Sequence, residues 1–229
     1  MFRRILILSF LLVTPLALCA LPAVAQDDQV WDEELKRFLT SQELGHEEVY
    51  MTPEEAALSM FPKSDKITSE LIMLSPDQKS LIEERIGWHF PETTFECFVG
   101  ETKGHVDGWA CIQNTIGKHK PMTYMVGVDP QGEIINVEVL VFRESRGSEV
   151  RKKRFNYQYQ GMTAYDPIRI NRDIINISGA TMSVRSMSAG VKRVLVLAEE
   201  FYLKPMGKST TINTASRTDK GFLESLLGF

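Results

Sequence analysis

The chain has 229 residues, 43% of them hydrophobic and 24% charged, with a formal charge of −4 at pH 7. That balance excludes a disordered or fibrous chain and gives enough apolar residues for one core with extensions. The mild acidity gives no reason to expect nucleic acid as a partner.

The first 25 residues, MFRRILILSFLLVTPLALCALPAVA, combine Arg3 and Arg4, an apolar run from Ile5, and Ala23-Val24-Ala25 ahead of Gln26. This is the layout of a secretory signal peptide over 1–25, which predicts a periplasmic or otherwise exported product. The apolar run is also long enough to stay as an N-terminal membrane anchor, although Pro15 and Pro22 favour cleavage. A lipoprotein signal needs a small residue before Cys19, and Leu18 stands there. Cleavage after Ala25 removes two arginines and no acid, so the formal charge moves from −4 to −6.

Residues 26–50 are acidic and polar and read as a tether with a short helix around Trp31 to Leu39. Residues 51–92 read as a helical extension. Thr52-Pro53-Glu54-Glu55 sets a cap, a first-turn proline and two acids before AALSMF, so a helix begins near Pro53 and stops before Pro62. A second helix covers Pro76 to Ile86, capped by Ser75, with Leu81, Ile82 and Ile86 as its apolar stripe.

From Thr93 the period changes. TFECFVGE, GWACIQNTI, PMTYMVGVD and EIINVEVLVFRE are β-branched and aromatic segments divided by glycine-containing turns, which predicts an antiparallel meander. In Ile134 to Phe142, alternation of Ile135, Val137, Val139 and Val141 against Asn136 and Glu138 predicts one buried face. Cys97 and Cys111 flank GETKGHVDG, a hairpin turn that brings them opposite each other; a disulfide and two buried thiols both satisfy this placement. No CxxC is present, so thiol redox catalysis has no support.

A long helix follows Ser183. Val184, Met187, Val191, Val194, Leu195, Ala198 and Phe201 form one stripe, and Arg185, Lys192, Arg193 and Glu200 fall opposite. The fold class is therefore α+β, an antiparallel sheet meander packed against helices with an N-terminal helical extension. The sheet domain spans 93–205, and 206–229 is a C-terminal tail.

Several motifs carry little weight. The GKST of Gly207 to Thr210 lacks the earlier phosphate-loop glycine, since Tyr202 stands there, and a helix leads into it. His46, His89, His105 and His119 show no metal-site spacing, and no serine sits in a GxSxG elbow. Arg151 to Arg154 form a basic run that reads as a solvated face.

Residues Ile177 to Ser183, ISGATMS, stand at the long helix's entrance. Helix N-termini present unpaired N–H groups and a positive dipole end, so Gly179 and Ala180 would admit a phosphate while Thr181 offers a hydroxyl. The same residues also serve as an ordinary cap through Ser178, Thr181 or Ser183. The first turn holds Arg185 and no acid, so the negative charge that favours such a terminus has another source.

Ser178-Gly179-Ala180-Thr181-Met182-Ser183 resembles the SGAT-x-[ST] signature of the FMN-binding domain family, whose threonine carries FMN through a phosphoester bond. The family includes the C subunit of the sodium-translocating NADH:quinone reductase and the G subunit of the Rnf complex. Gly127 to Val139 resembles its GxDxxGxIxxVxV strand pair, Arg143 to Val150 its acid-plus-glycine turn, and Tyr159-Gln160-Gly161 its QFxGK-like segment. The resemblance spans about Thr93 to Tyr202. It implies covalent FMN on Thr181, with Ser178, Gly179, Ala180 and Ser183 near the phosphate and Glu144 and Gly147 near the ring. The implied role is an electron carrier rather than a stand-alone enzyme, served by a flavin transferase and a membrane electron-transfer partner. One departure stands out: the family's Asp three residues before the motif serine is Ile175 here, with Asn176 and Asp173 the nearest polar residues. The rival reading is a non-flavin periplasmic binding or scaffold module.

Overall fold

The computed structural model describes residues 30–32, 36–39, 47–144 and 147–210. The signal-like segment 1–25 and most of the tail lie outside the described residues. Six antiparallel strands form one sheet: β3 (Glu48–Val49), β4 (Lys66–Met73), β5 (Thr94–Thr102), β6 (His105–Ile116), β7 (Pro121–Val128) and β8 (Ile134–Phe142), in the order β3-β8-β7-β6-β5-β4. The fold is the expected α+β meander, with two further edge strands.

Where a helix was expected at Trp31 to Leu39, the structure has a two-stranded hairpin, β1 (Val30–Asp32) and β2 (Arg37–Leu39), with Trp31 opposite Phe38. The chain turns there through Lys36, whose φ is 52°. β-branched and aromatic residues on both sides of a turn favour pairing over a short isolated helix.

Helices α1 (Pro53–Met60) and α2 (Pro76–Ile86) begin where their cap signals place them. In α1 the Thr52 hydroxyl accepts from the Glu55 N–H while Glu55 accepts from the Thr52 N–H. Ser75 and Gln78 form the same reciprocal box in α2, which Gly87 ends at φ 70°. These boxes satisfy donors that a helix otherwise leaves open. Between the two helices lies β4, a strand not among the expected elements. It is the sheet's edge, and Ile72 is its one buried residue, so the strand carries no alternation to read.

Helix α4 (Thr181–Ala198) packs on one face of the sheet, where Val184, Met187, Val191, Val194 and Leu195 meet Cys97, Tyr124, Val126, Val137 and Val139. Helix α1 closes the other face, where Ala56, Ala57 and Met60 pack with Phe98, Ala110, Met125 and Leu140 of the sheet. Both faces of β8 are thus buried, not one. Register shifts opposite Thr123/Tyr124 and Gly127/Val128 place a β-bulge near each end of β8, with Leu140 and Ile135 as the extra residues. Each bulge inserts a residue and breaks the two-residue period. As a result Ile134, Val137, Val139 and Phe142 enter the α4 core, while Ile135 and Val141 pack with the α1 cluster.

Cys97 and Cys111 are register partners on β5 and β6 and form a disulfide. Arg193 departs from the expected polar side of α4: it is fully buried. Its guanidinium donates to Gln113 Oε1 at 2.6 Å and Glu92 Oε2 at 3.0 Å. It also lies 4.7 Å from the Phe90 ring centre and 4.9 Å from that of Phe95. A weakly hydrated planar cation suits such a box of rings better than an ammonium does. After α4 the chain runs through a π-helical turn, Glu199–Leu203, where Arg85 bridges Glu199 and Glu200.

Candidate functional site

Three segments meet at the N-terminal end of α4. The first is the β6–β7 turn, closed by a bond from the Gly117 N–H to the Lys120 carbonyl at 2.8 Å. The second is the exit of β8. Since β8 runs antiparallel to β7, with Phe142 opposite Met122, Glu144 emerges beside that turn. Its Oε1 accepts from the His119 N–H at 2.5 Å and the Lys120 N–H at 2.9 Å. The third is the loop 175–180 leading into α4.

Two glycines let these segments close on one another. A Cβ at Gly117 would stand 2.9 Å from Glu144 Oε1 and 3.1 Å from Ser183 Oγ. One at Gly147 would stand 2.8 Å from the Ala180 Cβ and 3.4 Å from Ser183 Oγ, and Gly147 has φ 89° besides. The structure therefore brings Glu144, Gly147, Ala180 and Ser183 into one cluster. Ala180 and Ser183 are buried within it, whereas Ser178 and Gly179 face solvent.

Thr181 is the first helical residue of α4 and is half-buried. Ala180 takes the N-cap position, and no side chain caps the helix, in contrast to α1 and α2. Neither Ser178, Thr181 nor Ser183 acts as the cap that the sequence also allowed. Gly179 turns the chain at φ 81° with no heavy atom within 4 Å of where a Cβ would sit. The entrance to α4 thus combines uncapped backbone donors, an open approach over Gly179 and a hydroxyl. That is the donor set a phosphate group uses.

Asn176 Nδ2 donates to Thr181 Oγ1 at 2.8 Å. The other amide atom, Oδ1, is buried without a partner. Asp173, the other polar candidate near Ile175, is committed to its own loop, accepting from the Arg169 N–H at 2.9 Å. Ile175 is exposed, and its N–H donates to Gln158 Oε1 at 2.7 Å, which ties the loop to the short helix α3 (Lys153–Asn156) and the turn after it. Asn156 in α3 is buried with both amide atoms unpartnered. The basic run Arg151 to Arg154 is exposed throughout, with Arg151 4.6 Å from the Tyr50 ring centre.

The turn 117–120 is the part of the cluster that sequence reading missed. Its signal was a glycine in a tight turn between two strands, which any hairpin shares. Beneath α4, burial pushes the hydroxyls of Tyr124 and Tyr159 up from their ordinary range. Tyr159 pairs with Ser188 Oγ at 2.9 Å. Both phenols therefore stay neutral and hold the helix in register. Among the described residues no cluster of His, Cys, Asp and Glu could hold a metal, and no helix is long and apolar enough to cross a membrane.

Curated proteins give no match to this chain. Among solved structures, NqrC from Shewanella oneidensis aligns with a TM-score of 0.43 at 14% identity, covering 60% of this chain and 81% of that one. The corresponding protein of the Na(+)-translocating NADH-quinone reductase from Parabacteroides distasonis aligns at 0.38 and 15%, covering 63% and 85%. Both are loose likenesses. The sequence model of the FMN-binding domain matches residues 117–196, which begin at the glycine of the β6–β7 turn and end within α4. That stretch contains Glu144, Gly147 and the whole SGATMS segment, so the part of the chain that is similar to the FMN-binding domain includes the cluster at the entrance of α4.

Proposed function

We propose that this chain is an exported electron carrier with FMN attached by a phosphoester bond to Thr181, working between a membrane reductase and an acceptor outside. The observation that carries the reading is the Thr181 hydroxyl, half-buried at the first position of a long helix whose N-terminus no side chain caps. Gly179 and Ala180 leave the approach to the backbone donors open, and Ser183 lies one turn further in. Glu144 and Gly147, with the 117–120 turn, form the adjoining wall. The residues fit the group: an uncapped helix entrance matches its phosphate, and the orphaned Asn176 amide oxygen matches a hydroxyl donor.

Bound FMN would supply two-electron acceptance with release of single electrons, the chemistry a relay needs. The protein's own part is to tether the group, to set its surroundings by burial and hydrogen bonds, and to present it. A flavin transferase is the partner that attachment requires. Export is supported by the signal-like segment 1–25 and by the buried Cys97–Cys111 disulfide, which belongs to an oxidising compartment.

The test is coexpression with a flavin transferase followed by intact-mass analysis and peptide mapping. The mature protein should begin at Gln26 and carry the mass of one FMN on Thr181. Thr181→Val, which keeps the shape and removes the oxygen, should fold and lose both the added mass and the denaturation-resistant yellow colour. Flavin retained by Thr181→Val, or mapped to Ser183, would refute the attachment; a chain without any flavin would favour a binding or scaffold module.

A further inference from the structure

The loop before α4 contains an amide whose one hydrogen bond is to the candidate attachment residue. Asn176 Nδ2 reaches forward over the Ser178-Gly179 turn to Thr181 Oγ1 at 2.8 Å, and that turn is fixed by the Ala180 N–H donating to the Ile177 carbonyl at 3.0 Å. Its Oδ1 is buried with no partner. An asparagine kept to hold the loop together would satisfy both ends of its amide on the folded chain. This one commits its donor to the Thr181 hydroxyl and leaves its buried acceptor unsatisfied.

We propose that Asn176 is a positioning residue for Thr181: its amide N–H fixes the hydroxyl oxygen for attachment, and its free Oδ1 receives a hydroxyl of the polyol chain of the arriving flavin nucleotide. The proposal rests on Thr181 being the attachment point. A threonine hydroxyl has two lone pairs and one proton. The Asn176 N–H occupies one lone pair, which fixes the direction of the other and leaves the proton free to go. In the attachment step Oγ1 bonds to the flavin-side phosphorus of a flavin dinucleotide, and the P–O bond of its pyrophosphate breaks. The nucleoside monophosphate leaves with that electron pair, and the hydroxyl proton passes to a base of the transferase. No oxidant or reductant enters.

The experiment measures loading by intact mass in a mixture of the purified chain, a flavin transferase and flavin dinucleotide, for wild type, Asn176→Leu and Asn176→Asp. Asn176→Leu removes both the donor and the acceptor. Asn176→Asp keeps the shape and the acceptor but replaces the donor with a carboxylate oxygen facing Oγ1, so it carries the test should the leucine variant not fold. Both should load at saturating concentration at least about tenfold more slowly than wild type, because a misplaced nucleophile loses rate on that scale. The chain concentration giving half-maximal loading should stay the same, a split that a merely loosened loop would not produce. A folded variant loading at the wild-type rate, or Asn176→Asp loading faster, would overturn the role given to the amide donor. A wild-type chain that does not load would instead overturn the assignment of Thr181 itself.

Discussion

A methyl group on Gly190 would stand 1.9 Å from the Tyr124 hydroxyl and 3.1 Å from the Thr115 side chain, so at this position helix and sheet touch through a missing side chain. The hydroxyl donates to the Met187 carbonyl at 3.3 Å and cannot swing away without leaving a buried oxygen unpaired. Gly190→Ala is therefore expected to destabilise by about 1–3 kcal/mol, even though alanine is favoured over glycine within a helix by about 1 kcal/mol. Urea denaturation measures it, and Tyr124→Phe in the same chain should recover part of the loss. A Gly190→Ala protein as stable as wild type would mean that α4 shifts on the sheet without penalty. Arg193 makes the complementary point. The periodicity of α4 placed it on the polar side, and it lies buried because the segment Trp88 to Phe95 folds over it. No helical wheel contains that segment. Asn176 was visible only as a polar residue near Ile175; its contact with Thr181 depends on the Gly179 turn.

Elements whose signals are local were legible. The two proline-initiated helices start and stop at their caps because the residues that end them are adjacent in the chain. The capping boxes are separable from the core, and Thr52→Ala and Ser75→Ala should each cost about 1 kcal/mol. Thermal unfolding checks both. The Thr52 change should also loosen the second face of the sheet, since α1 supplies Ala56, Ala57 and Met60 to that face. Hydrogen exchange at Phe98 and Met125 reads this directly, and unchanged protection there would show that α1 is held by packing alone. Less legible was anything decided by pairing. The alternation along β8 was real, yet the two bulges redistributed it over both faces. β4 showed no pattern because an edge strand with one buried residue needs none. At the site, the SGATMS segment and Glu144 with Gly147 could be named from the sequence. The turn 117–120 that completes their cluster could not, since its position follows from the pairing of β6, β7 and β8.

At the scale of the whole molecule the sheet is covered on both faces, and a covalent link ties β5 to β6. Cys97 and Cys111 are fully buried register partners on β5 and β6, 14 residues apart in sequence. Arg193 and Phe95 pack beside them, because Phe95 lies two residues before Cys97 on β5 and Gln113, the partner of Arg193, two residues after Cys111 on β6. The link's effect is thus to close a hairpin that already pairs strongly, and to do so out of reach of solvent. A loop of this length implies about 3 kcal/mol from restriction of the unfolded chain. For a protein of this size that corresponds to a melting temperature lower by about 6–12 °C in Cys97→Ala/Cys111→Ala. In the folded wild type, thiol reductants should reach the bond only after denaturant opens the sheet. Flavin-loaded double mutant should accept and pass electrons at the wild-type rate, because the pair is buried between β5 and β6 rather than placed in the cluster at the entrance of α4. A folded double mutant that loads flavin but no longer passes electrons would show instead that the disulfide belongs to the electron path.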